Sequence, residues 1–122
     1  MNSIIIPNSV TIIRKETFSG CIGLTSINIP NSVTEIGIFA FSGCFGLTAI
    51  TIPKTATTIG DLAFATCIGL SEITNKAIIP QIICANVFSD VKKTTTTLRV
   101  PAASVAAYQA ADVWKEFNIV GF

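Results

Sequence analysis

The chain of 122 residues is half apolar and only 12% charged, with a net charge of +1, four cysteines and no histidine. That length suits one domain burying about two-thirds of its unfolded surface. Lysines and arginines are scattered singly apart from Arg14-Lys15 and Lys92-Lys93, which argues against nucleic acid as a partner, and no apolar run approaches the roughly 18 residues of a membrane span.

The first predicted element is an extended segment in "MNSIIIP", where Met1 stands in the column later filled by Leu24, Leu47 and Leu70. The array thus begins at a repeat boundary without a distinct capping sequence. It reads as a fragment or a short array whose first strand exposes Ile4, Ile5 and Ile6, with no charged n-region or cleavage site of a signal peptide in these residues. Next come Arg14, Lys15 and Glu16, where later repeats have Gly37-Ile38-Phe39 and Gly60-Asp61-Leu62; a locally altered turn is expected there.

From Phe18 the periodicity is plain. "FSGCIGLTSINIPNSVTEIG" is followed by "FSGCFGLTAITIPKTATTIG", and Cys21, Cys44 and Cys67 recur at intervals of 23 residues, as do Pro7, Pro30 and Pro53. A fixed period of about 20 to 50 residues is the signature of stacked supersecondary units. In "LTSINIP" Ile27 and Ile29 alternate with Ser26 and Asn28, the period-2 pattern of a strand with one buried face. The equivalents "LTAITIP" and "LSEIT" place Ile50, Ile52 and Ile73 inward, in a parallel sheet with strands about 4.8 Å apart. Ser26, Asn28, Ala49, Thr51, Glu72 and Thr74 then face out. After each proline a second extended piece offers Val33 and Ile36 to the core, and Ala40, Phe41 and Cys44 close the unit.

Residues 75–100 depart from the period, since Phe88 falls one place after the 87 that a 23-residue step from Phe64 requires. They read as a degenerate last repeat, with "KKTTTT" as a polar loop before a final strand at Leu98 to Val100. The segment 101–122 is predicted to close the stack. Its "AASVAAYQAAD" carries Val105, Tyr108 and Ala111 at helical spacing behind Pro101, and Trp114, Phe117 and Ile119 follow as an apolar tail against the last repeat.

No constellation for chemistry emerges. Without histidine there is no Ser-His-Asp or Cys-His arrangement, and Glu16, Glu35, Asp61 and Glu72 occupy different positions in their repeats, so stacking does not pair them. One cysteine per repeat lacks the close pairs of a zinc site, and parallel side chains suit a disulfide poorly. The column reads as free thiols packed as small apolar groups, with Cys84 outside it and partly accessible. Catalytic residues, metal and cofactors are therefore expected to be absent. Thr11, Thr34 and Thr57, and Thr25, Thr48 and Ser71, form two ladders read as cross-strand packing; an ice- or polymer-binding surface is a minor alternative.

The pattern L-x-x-I-x-I-P-x-x-V-T-x-I-G-x-x-A-F-x-G-C-x-G, from Met1 to about Thr74, together with the tail from Asn86, resembles the BspA-like leucine-rich repeats. The resemblance implies a leucine-rich repeat solenoid, mainly β with a C-terminal capping helix and tail, forming one domain over residues 1–122. It further implies a secreted or cell-surface protein of host-associated bacteria or parasitic protists, acting in adhesion or recognition of a host or neighbouring-cell protein or glycan. Within that frame the outward residues Ser26, Asn28, Ala49, Thr51, Glu72 and Thr74 are the candidate binding face. A structural spacer in a larger surface protein is the alternative, and the uncapped N-terminal end offers a dimer contact.

Overall fold

The computed structural model describes residues 4–122, so the expectations for Met1 and the start of the first strand lie outside the described residues. Ile4 to Ile6 belong to no strand, and of the three expected to be exposed only Ile5 is, Ile4 being half-buried and Ile6 buried in the core. Two parallel sheets run along the stack. The smaller contains β1 (Ile12–Ile13), β3 (Glu35–Ile36) and β5 (Thr58–Ile59) in the order β1-β3-β5. The larger contains β2 (Ser26–Asn28), β4 (Ala49–Ile52), β6 (Glu72–Asn75), β7 (Thr97–Val100) and β8 (Asn118–Gly121) in the order β2-β4-β6-β7-β8.

The register follows the period. Ile27 pairs with Ile50 and Ile50 with Ile73, while Ile13, Ile36 and Ile59 align across the smaller sheet. Alternation sends these side chains inward, together with Ile29, Ile52, Val33, Ala40 and Phe41, and all are buried. Between the sheets the phenylalanine column stacks face to face: Phe18, Phe41, Phe64 and Phe88 have centroids 5.1, 5.2 and 5.4 Å apart and planes within 12° of parallel. The last ring is closed differently. Trp114 and Phe117 meet Phe88 edge-on at 5.5 and 5.1 Å, a favoured arrangement that presents positive ring edges to a negative ring face.

The turn at Arg14 to Glu16 is not altered. Glu16, Phe39 and Leu62 share a left-handed φ of 62°, 59° and 59°, and Thr17, Ala40 and Ala63 donate their N–H groups to Arg14, Gly37 and Gly60 alike. What differs is crowding. A Cβ on Gly37 would lie 2.6 Å from the Lys15 nitrogen and 2.8 Å from the Ile13 carbonyl oxygen, and one on Gly60 would lie 2.6 Å from the Ile38 nitrogen. The glycine is thus required by the repeat before it. Among the described residues no such neighbour presses on Arg14, so a side chain is tolerated.

In the fourth repeat Cys84 takes this glycine column, because Val87 N–H bonds its carbonyl as Ala63 bonds that of Gly60. With a side chain there the segment 81–84 cannot approach to ladder distance, and the small sheet ends at β5. Alternation nevertheless persists: Gln81 and Ile83 are buried, while Ile82 and Cys84 are exposed. A buried amide pair anchors the segment, with Asn75 Nδ2 donating to Gln81 Oε1 at 2.8 Å and Gln81 Nε2 donating to the Ala56 carbonyl at 2.9 Å.

The C-terminal residues form a short 3-10 turn (Ala102–Ser104), helix α1 (Val105–Gln109), a second 3-10 turn (Trp114–Glu116) and β8. Tyr108 and Trp114 are fully buried, whereas Val105 and Ala111 are half-buried against the core. The tail does more than lie against the last repeat. It pairs in parallel with β7, Leu98 opposite Ile119, and becomes the fifth strand. Three side chains from this segment donate to carbonyls of the preceding repeat: Ser104 Oγ to Ile78 O and Tyr108 Oη to Ala77 O, both at 2.7 Å, and Trp114 Nε1 to Gln81 O at 2.8 Å. Unpaired buried carbonyls would each be costly.

Candidate binding face

The six outward residues expected from the alternation lie on one face in two rows. Ser26, Ala49 and Glu72 are register partners across β2, β4 and β6, as are Asn28, Thr51 and Thr74. Ser26 and Asn28 are exposed and the other four half-exposed. The rows continue further than the repeat pattern indicates. Thr97 and Asn118 extend the first, Arg99 and Val120 the second, giving a strip five strands wide, about 19 Å at ~4.8 Å per strand. Arg99 was not among the six, although the alternation in "TLRV" is a signal that could have found it; "NIVG" is too short to single out Asn118 and Val120.

Arg99 Nε lies 3.2 Å from Glu72 Oε2, and both side chains remain about half exposed. Such a surface pair contributes about 0–1 kcal/mol. Its larger effect is to make the middle of the strip electrically balanced.

The two threonine ladders spend their hydroxyls on the backbone instead of on one another. Thr34 Oγ1 donates to Thr11 O, Thr48 Oγ1 to Thr25 O and Ser71 Oγ to Thr48 O, at 3.0 to 3.2 Å. Each repeat is thereby tied to the one before it.

All four cysteines are free. Cys44 and Cys67 are buried, and they do more than fill space: their thiols donate to the carbonyls of Phe18 and Phe41, at 3.1 and 3.2 Å. The neighbouring Cys44 sulfur and burial hold the Cys67 thiol far above its ordinary pKa. Cys21, expected to be buried in the same column, is only half-buried because it lies at the open end of the stack; burial and the nearby Cys44 raise its pKa. Cys84 is exposed, and the Asp61 carboxylate raises its thiol by hydrogen bonding and by charge. Among the described residues no group of three or more Cys, Asp or Glu could hold a metal ion, and no helix is long and apolar enough to cross a membrane.

The N-terminal end is a second, apolar surface. Ile5 is 92% exposed beside a cavity of about 310 Å³ lined by residues including Ile6, Val10, Ile13 and Phe18.

No curated protein matches the chain. The family model described as BspA type leucine-rich repeat region, in six copies, matches residues 1–109. With a match over most of its length, and with parallel strands stepping at the repeat interval, the chain belongs to the BspA-type leucine-rich repeat family.

Proposed function

We propose that residues 1–122 form a single non-catalytic solenoid domain, with repeats over about 1–74, a degenerate repeat over about 75–100 and a cap over about 101–122. It binds a protein or glycan of a host or neighbouring cell through the outward face of the large sheet. The observation that carries this reading is the strip itself. Ser26, Asn28, Ala49, Thr51, Glu72 and Thr74 are small or charge-balanced side chains in register, extended by Thr97 and Arg99. Such a surface suits a broad partner. Family membership supports an interaction role and a secreted or cell-surface setting, where repeated copies convert weak contacts into avidity.

A dimer through the open end is the second reading, favoured by the exposure of Ile5. One variant carrying Ala49→Arg and Thr74→Arg and another carrying Ile5→Lys separate the two. Binding to immobilised matrix proteins and a glycan panel should fall with the first, while mass by light scattering stays unchanged. Loss of binding only with Ile5→Lys would overturn the strip as the binding surface.

A further inference from the structure

At one end of the strip, where the strands stop and the chain turns, β2, β4 and the turns after them enclose a cleft of about 400 Å³. Its walls carry Asn8, Asn28, Asn31, Ser32, Thr51 and Lys76, over an apolar floor of Ile29, Pro30 and Pro53. Two features set it apart from the rest of the surface. First, its polar side chains are unused: among the described residues Asn8, Asn28, Asn31, Thr51 and Lys76 have no side-chain hydrogen bond or ion pair within the protein. The Ser32 hydroxyl is buried without a partner, although its counterpart Thr55 donates to two carbonyls at 2.8 Å. Second, Lys76 breaks the column Pro7, Pro30, Pro53. Its N–H bonds the Ile52 carbonyl at 3.0 Å, which proline could not do, and it contributes the only charge in a lining that contains no carboxylate.

We propose that this cleft is a binding site for an acidic sugar, a uronic acid within a glycan. Each primary amide offers both donors and an acceptor, matching vicinal hydroxyls that are themselves both donors and acceptors. Pro30, the one floor residue that keeps exposed surface, takes the C–H face of the ring, and Lys76 takes the carboxylate as a charge-assisted partner. The volume falls within the range of about 300 to 1,000 Å³ usual for small-ligand sites. The proposal deepens the reading of the strip and rests on it through the shared residues Asn28 and Thr51.

The test is an amide-resolved NMR titration of the full chain with a tetrasaccharide of alternating glucuronic acid and N-acetylglucosamine, and with neutral chitotetraose. The acidic sugar should shift the Asn8, Asn28 and Asn31 side-chain amides. Lys76→Gln should weaken the acidic sugar about five-fold and leave the neutral one unchanged. Asn31→Leu should weaken both about ten-fold. Silent cleft amides at millimolar sugar overturn the proposal, as does a Lys92→Gln control that weakens the acidic sugar as much as Lys76→Gln. If those amides stay silent while matrix-protein binding is lost in the Ala49→Arg, Thr74→Arg variant, the cleft falls and the strip stands.

Discussion

Gly37→Ala adds one methyl group, and the structure indicates that it forces two repeats apart. The new carbon would sit 2.6 Å from the Lys15 nitrogen and 2.8 Å from both the Arg14 carbonyl carbon and the Ile13 carbonyl oxygen. All three are backbone atoms, so no side chain can swing aside, and ordinary contact near ~3.5 Å requires a displacement of about 0.9 Å. Overpacking of this kind costs about 1–3 kcal/mol. The same displacement weakens the bond from Gly37 N–H to the Ile13 carbonyl, 2.7 Å long, for about 1 kcal/mol more. The expected loss is thus about 2–4 kcal/mol. Gly43→Ala is the control: its φ is +75° and no outside atom lies closer than 3.8 Å, so it pays only left-handed strain of about 1–2 kcal/mol. Arg14→Gly, in the same column as Gly37, should cost under about 1 kcal/mol through unfolded-chain entropy. Urea unfolding followed by the fluorescence of the single tryptophan, Trp114, reads all three. If Gly37→Ala costs no more than Gly43→Ala, contact between repeats does not select the glycine and the argument fails.

Thiol labelling without denaturant should modify Cys84 first, Cys21 more slowly, and Cys44 and Cys67 only on unfolding. Because Asp61 disfavours the Cys84 thiolate, Asp61→Asn should speed labelling of Cys84 at pH 8, and an unchanged rate would remove Asp61 as the cause. Tyr108 is buried, and its phenol is held well above its ordinary pKa. Its contribution to stability is therefore complete below about pH 10, where the unfolded phenol begins to ionise, and is lost as the pH rises further. Urea midpoints between pH 8 and 11.5 should fall for the unmodified chain and fall less steeply above about pH 10 for Tyr108→Phe, the raised thiols accounting for the slope that remains; parallel curves would contradict this. Trp114→Phe should cost about 2–4 kcal/mol, because it leaves the Gln81 carbonyl without its donor and a void beside Phe88; a cost below about 1 kcal/mol in urea would show that another donor replaces the indole.

The repeated part of the fold was legible because each signal was stated several times. Ile27, Ile50 and Ile73 give the sheet register, and Phe18, Phe41 and Phe64 the ring column, in a period that local alternation reinforces. The two outer rows followed from the same alternation. What could not be read depended on contacts between segments without a periodic label. β8 pairs with β7 only after α1 and its flanking turns reverse the chain, so Asn118 and Val120 carried no sign of sharing a row with Ser26 and Asn28. Arg14 looked like a disturbance because the glycine it replaces is usually explained by its own φ. Here the reason lies in the backbone of another repeat. Lys76 passed as part of a degenerate segment, since a cation in a proline column becomes meaningful only when Asn8, Asn31 and Thr51 are seen beside it.

The extra residue between Phe64 and Phe88 also bears on how such a gene can change in length. Duplicating one 23-residue unit upstream of Leu70 preserves every neighbour relation, because the new copy meets partners identical in kind to those it separates. A duplication that divides the fourth repeat from the C-terminal segment has no such freedom. Ser104, Tyr108 and Trp114 are matched to the carbonyls of Ala77, Ile78 and Gln81, and a regular repeat inserted between them would offer its carbonyls in another register. Recombination should therefore lengthen the array from within while inheriting residues 70–122 as one indivisible cassette.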